Sequence, residues 1–208
     1  LTGLFLCIFL LEHLIGNLLL FAGEQTFNDY SAFLVSNPVI RFIEIFLFLS
    51  LIGHSISGVV VWIRNRRARP RKYEEFRLKE NTPLESRITM LTGSIIFIFL
   101  VVHLDTFFVP LRLGDIKPSG YQLVVQAFAN PWYSLFYLAA FVLLGYHLRH
   151  GFQSAFQTMG WVNKSYTPLL NAVAFVFWFL VPLGYAVIPV YFHFTAHGSP
   201  ASIVIGGQ

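Results

Sequence analysis

The chain has 208 residues, of which 56% are hydrophobic and only 12% charged. Soluble domains carry about 25% charged residues, so this composition excludes a soluble enzyme domain and describes an integral membrane protein. The net charge of +4 is not a nucleic-acid signal, because most basic residues fall in one segment, and the single cysteine, Cys7, excludes an internal disulfide or an iron–sulfur cluster.

Five apolar stretches reach the roughly 20 residues that a bilayer-crossing helix needs. They lie at about 1–22, 39–63, 88–109, 132–158 and 169–192. With their connections they form a single transmembrane domain over 1–208. No room is left for a nucleotide-binding loop or a flavin fold. The predicted fold class is therefore an all-α membrane protein with five transmembrane helices.

The first stretch contains Glu12 and His13, which interrupt its apolar run, so it reads as a mature helix and not as a cleavable signal peptide. It opens on Leu1 without a methionine, and a few leading residues are expected before it. Cys7 reads as a small core hydrophobe. Residues 23–38 read as a loop. Asn37-Pro38 then marks entry into the second span, where proline is tolerated because its missing N–H would be unpaired anyway.

Segment 64–87 holds Arg64, Arg66, Arg67, Arg69, Arg71, Lys72, Arg77, Lys79 and Arg87. The positive-inside rule places it in the cytoplasm. The amino terminus and loop 159–168 are then cytoplasmic, while 23–38, 110–131 and the carboxyl tail are outside. The outer segments carry Arg41, Arg112 and Lys117. The short inner loop carries Lys164, with Arg149 just inside the preceding span. Asn130-Pro131 and Pro168 mark the last two entries, and Pro182 with Pro189 predicts a kink in the fifth span. Phe175, Phe177, Trp178 and Phe179 read as lipid-facing.

Four histidines, His13, His54, His103 and His147, lie in four different spans. A titratable residue inside a membrane span marks function by default. At 1.5 Å per residue, His54 and His147 sit roughly 14 and 17 Å from the inner ends of their helices. His13 and His103 sit roughly 14 and 9 Å from the outer ends of theirs. They sort into two pairs by height, each drawn from two helices. Two imidazoles facing each other at one level suit a bis-histidine haem, and a four-helix bundle is a usual place to hold one. Both axial positions would be filled, which favours electron transfer over oxygen chemistry. Gly58 and Gly151 follow His54 and His147 by four residues, on the same helix face. There they remove a side chain that would obstruct a macrocycle. Gly53, Gly145, Gly16 and Asn17 add space nearby. A single zinc ion could not span both levels.

These residues carry a resemblance. Thr2-Gly3-Leu4-Phe5-Leu6 leading to His13, His13-Leu14-Ile15-Gly16-Asn17, His54 with Gly58, Val101-Val102-His103, and the run from His147 through Gly151 to Gly160 are its marks. The chain resembles the five-helix, di-haem cytochrome b subunit of succinate:quinone oxidoreductases and fumarate reductases. The resemblance covers essentially the whole chain. It implies an inner haem b on His54 and His147 and an outer haem b on His13 and His103, with His147 and not His150 as the ligand. It also implies docking of a flavoprotein and an iron–sulfur subunit on the cytoplasmic face of a bacterial or archaeal inner membrane. The chain would be the quinone-reactive subunit, with no flavin or succinate site of its own, and the quinone would be menaquinone. Some fumarate-reducing members carry a proton-transferring glutamate two residues before the fourth ligand. Here that residue is Gly145, which argues against that proton path and slightly favours succinate oxidation.

Other polar residues are expected to serve the same sites. Arg149 is read as a contact for an inner propionate, against an interfacial position, and His150 as an interfacial or propionate-contacting residue, against a ligand. Arg41, Glu44 and Asp105 are read as outer quinone or propionate contacts, against a local ion pair. Glu12 is a proton carrier or a bundle hydrogen-bond partner. His193 and His197 are read as exposed at the outer end. The basic loop is read as contacting acidic lipid headgroups as well as the partner subunits. Two other classes fit the composition: the di-haem anchor of a formate dehydrogenase or hydrogenase, and a haem-free transporter or proton channel.

Overall fold

A computed structural model describes residues 1–67, 84–114, 118–161 and 163–198, with the side chains of 84–87, 197 and 198 outside the described set. All regular structure among these residues is helical. Five helices are long and apolar enough to cross a membrane: α1 (Thr2–Ala22), α3 (Pro38–Arg67), α4 (Ile88–Arg112), α6 (Pro131–Thr158) and α7 (Thr167–Ala196). They overlie the five predicted spans closely. The chain is a multi-pass, all-α membrane protein. Two shorter helices, α2 (Glu24–Ser36) and α5 (Gly120–Ala129), occupy segments read from the sequence as loops.

Local chemistry explains the entries. Asn130 Oδ1 accepts hydrogen bonds from the N–H groups of Trp132 and Tyr133 at 2.9 and 3.3 Å, capping α6 with Pro131 at its first position. Asn37 does the same for α3 through the Val39 N–H at 2.9 Å. Ser119 Oγ accepts from the Gln122 N–H at 3.2 Å and starts α5. The Ser-x-x-Gln spacing was therefore a legible start signal. Ser119 Oγ also donates to Glu24 at 2.8 Å and accepts from Asn28 at 2.9 Å, which ties α5 to α2.

The end of α1, Leu19–Ala22, tightens to a 3-10 turn, and the two π-helical stretches both precede prolines. A wider π turn covers Leu104–Phe108 ahead of Pro110, and another covers Val176–Leu180 ahead of Pro182. Each proline lacks the N–H that would continue the helical ladder, and the extra residue absorbs the break. The irregularity predicted for the fifth span thus falls one turn before Pro182, while Pro189 lies inside regular helix.

α1, α3, α4 and α6 form a ring of four in which each packs on two others. α7 lies outside the ring against α1 and α6, and α5 packs on α7 and α2. Two apolar cores result. One gathers Leu14, Phe99, Phe128, Tyr137, Phe141, Tyr185 and Phe192. The other gathers Cys7, Leu148, Phe152 and Ala174, which makes Cys7 the buried small hydrophobe expected of it. α3 turns Phe42, Ile45, Leu49, Ile52 and Ile56 outward. That costs nothing in lipid, where the surroundings are as apolar as the side chains.

Candidate functional site

The ring of four helices brings together the two histidine pairs read from depth. His54 of α3 faces His147 of α6, with ring centres 6.1 Å apart and planes at 86°. His13 of α1 faces His103 of α4, with centres 5.9 Å apart and planes at 88°. The first pair lies toward the end of the bundle that carries Arg64, Arg66, Arg67 and Lys164, and the second toward the end that carries Arg41 and Arg112.

Two imidazoles that bind one metal ion from opposite sides, each through a nitrogen about 2.0–2.1 Å away, have ring centres about 6.4 Å apart. Both pairs lie within about 0.5 Å of that spacing. Each level offers two imidazoles, whereas a zinc ion takes three or four protein ligands. Among the described residues no group of three or more His, Cys, Asp or Glu side chains is placed to hold a bare ion. The donor set fits an iron whose remaining four ligands come from a porphyrin.

The glycines divide by role. At Gly58 and Gly151, one turn past His54 and His147, nothing beyond the local helix backbone lies within 4 Å of where a Cβ would stand. These positions are open; Gly58 is exposed and Gly151 half-buried. Gly3, named above only within the Thr2–Leu6 mark, and Gly93, not singled out from the sequence, lie against the rings themselves. A Cβ would stand 3.4 Å from His54 Cε1 at Gly3 and 3.3 Å from His147 Cε1 at Gly93.

Gly145 and Gly16 correct the expectation of added space. A Cβ at Gly145 would lie 2.8 Å from the backbone oxygen of Trp178. Pro182, four residues after Trp178, cannot donate the helical hydrogen bond to that oxygen. α6 therefore closes onto α7 at this carbonyl, and no side chain fits at 145. A Cβ at Gly16 would lie 2.7 Å from the ring of Tyr30, so Gly16 seats an aromatic ring. Asn17 donates to the His13 carbonyl at 2.7 Å and is part of the helix.

Hydrogen-bond partners hold one imidazole of each pair. His103 Nδ1 lies 3.0 Å from the Tyr137 hydroxyl, which lies 3.0 Å from that of Tyr133. Tyr133 donates to Thr106 Oγ1 at 2.9 Å. His147 Nδ1 lies 3.4 Å from Thr92 Oγ1, and His147 also hydrogen-bonds to the backbone of Thr89. The sequence reading missed Tyr133, Tyr137 and Thr92. The four-residue spacing of the two tyrosines on an apolar helix was their only mark. Around the rings, Phe9 stacks on His13 and Phe99 on His103, and Tyr185 lies beside His13 while donating to the Leu10 carbonyl at 2.7 Å.

The remaining candidates scatter. Arg41 pairs with Glu44 at 3.2 Å, as a local ion pair would. Arg112 of α4 joins them at 3.4 Å from Glu44, which the sequence did not indicate. Arg112 Nη1 is buried without a hydrogen-bond partner among the described residues. Asp105 is exposed on the π turn of α4. The Arg149 guanidinium lies 5.3 Å over the Trp178 ring, a cation–π contact that holds α6 on α7, and His150 is half-buried. Glu12 accepts from the Tyr30 hydroxyl at 2.7 Å. Burial first and the Glu12 carboxylate second push the Tyr30 phenol up to about 12, so it stays a donor at neutral pH.

His193 is a correction. It was read as exposed, yet it is half-buried with Nδ1 3.2 Å from the Phe128 carbonyl oxygen, a link from α7 to α5. The His197 side chain, the carboxyl tail, Lys117 and the basic loop beyond Arg67 lie outside the described residues. Of the aromatic run, Phe175 and Phe179 are exposed, but Phe177 packs on Phe152 and Trp178 meets Arg149.

No protein-family model, no curated protein and no solved structure matches this chain.

Proposed function

We propose that the chain is the di-haem cytochrome b anchor of a succinate:quinone oxidoreductase, carrying electrons between an iron–sulfur subunit and membrane quinone. The observation that carries this reading is the pair of imidazole–imidazole spacings, 5.9 and 6.1 Å, at two levels of one four-helix ring. The motifs around His13, His54, His103 and His147 support the choice of family. In this reading His54 and His147 hold the inner haem, and His13 and His103 hold the outer one. When bound, each haem supplies a one-electron carrier. The two histidines of each pair would hold the iron, the surrounding aromatic rings would exclude water, and the two levels would keep the carriers at separate heights. In this reading the partner-binding face is the end that carries Arg64, Arg66 and Arg67, at the cytoplasmic side of a bacterial or archaeal inner membrane, which the positive-inside rule supports. The Arg41–Glu44–Arg112 cluster, at the outer end of the bundle roughly 14 Å along α4 beyond His103, is the candidate contact for quinone or for a propionate.

A pyridine haemochrome assay on the purified protein tests the reading, with identification of the co-purifying subunits. About two b haems per chain, as two bis-histidine sites require, and a flavoprotein with an iron–sulfur partner are expected. Zero or one haem refutes it. Two haems with a formate dehydrogenase or hydrogenase partner would keep the cytochrome and reassign the complex.

A further inference from the structure

The hydrogen bonds beside His103 have a direction that can be read link by link, because each hydroxyl has one hydrogen to give. Thr106 Oγ1 spends its hydrogen on the Val102 carbonyl, at 2.9 Å. It therefore accepts from Tyr133, whose hydroxyl spends its hydrogen there, also at 2.9 Å. At the 3.0 Å contact between the two phenols, Tyr133 must then accept and Tyr137 must donate. The Tyr137 hydrogen is now used as well. At its 3.0 Å contact with His103 the Tyr137 oxygen can only accept. His103 must carry its proton on Nδ1, and Nε2 keeps its lone pair. Tyr137 is 3% exposed, so water does not compete for these bonds.

We propose that Tyr137 is a positioning residue for the outer metal centre. As the acceptor at the end of a directed Thr106–Tyr133–Tyr137 chain, it fixes the tautomer of His103 and raises the electron density on the nitrogen that binds iron. The partner of a ligating imidazole's other N–H orients the ring and strengthens it as a ligand. The proposal rests on the reading of His13 and His103 as ligands of one haem. The inner pair has a looser counterpart. Thr92 spends its hydrogen on the Thr89 carbonyl at 3.0 Å and can only accept from His147, but at 3.4 Å.

The test uses the complete purified complex with Tyr137→Phe, which removes one oxygen and keeps the ring. Haem content, affinity for the outer haem and the midpoint potential of each haem are measured. Outer-haem affinity is expected to fall about 10–100-fold, the usual effect of losing such a partner. The outer potential should shift positive, because a weaker donor stabilises ferric iron less, while the inner potential stays put. Tyr133→Phe leaves Tyr137 in place but unpolarised, and should shift the outer potential in the same direction by less. An intact Tyr137→Phe complex with unchanged outer-haem affinity and potential overturns the proposal, as does an equal shift at both haems. If Tyr137→Phe does not assemble, an unchanged outer potential in Tyr133→Phe overturns it. A wild-type complex without haem, or a His103→Ala complex that keeps both, refutes the haem reading itself. Two haems, one lost in His103→Ala and none perturbed in Tyr137→Phe, refutes only the role of Tyr137.

Discussion

Replacing His54 or His147 by Ala should remove the inner haem alone, and replacing His13 or His103 the outer haem alone, because each pair shares one level. His150→Ala should leave both haems, by reduced-minus-oxidised spectra. Loss of a haem in His150→Ala but not in His147→Ala would reverse the assignment. The glycines allow a sharper contrast. Gly145→Ala places a methyl 2.8 Å from a backbone oxygen that cannot swing aside. Overpacking of this kind costs about 1–3 kcal/mol, so the melting temperature in detergent should fall. Gly151→Leu enters open space by the same measure. It should spare the fold and displace the inner haem, since in the proposed reading only the macrocycle occupies that space. If Gly151→Leu retains the inner haem, the macrocycle lies elsewhere. The contact at Gly145 also gives a physical reason why this chain has no glutamate there: the backbone of α7 stands where the side chain would go.

Helices α2 and α5 act at the scale of elements. Neither is long and apolar enough to span a membrane, and their polar contact centres on Ser119 and on Asn28, whose Oδ1 also accepts from the Tyr121 N–H at 3.1 Å. Ser119 caps α5 and bonds both Glu24 and Asn28 of α2. Ser119→Ala should cost about 0.5–2 kcal/mol, as losing an N-cap does. Hydrogen exchange should rise in both α2 and α5, with both haems retained. Exchange that rises in α5 alone would mean that the hydroxyl caps its own helix and no more. The π turn of α4 has a local consequence as well. It starts directly after His103 and contains Thr106, so the extra residue sets where that hydroxyl stands relative to Tyr133.

At the scale of the molecule, the proposed function implies a route. If partners dock at the basic end as proposed, electrons would reach the His54–His147 level first and the His13–His103 level second. Loss of His13 or His103 should leave succinate oxidation by a soluble dye unchanged while quinone reduction falls at least tenfold. The dye takes electrons before the membrane step. Both activities must be read on one sample, with subunit stoichiometry confirmed. Quinone reduction that survives would put the quinone site at the basic end, near Arg149 and His150.

Five spans, their ends and the pairing of four histidines were legible in the chain itself, because burial in lipid demands long apolar runs and makes each interruption conspicuous. Height along a helix follows from counting residues, so His54 with His147 and His13 with His103 could be paired before any contact was known. Rotation about a helix axis and the approach of one helix to another do not follow from counting. Gly145 and Gly151 look alike in sequence, yet one meets a backbone carbonyl and the other meets nothing, because only the position of α7 separates them. Tyr137 and Thr92 likewise became partners of the imidazoles only through the packing of α4 on α6. Arg112 of α4 found Glu44 at the far end of the preceding span, α3. Sequence alone set composition, depth and local caps, which are properties of one helix at a time. The tertiary structure decided which groups touch, because contact depends on the relative rotation and spacing of different helices.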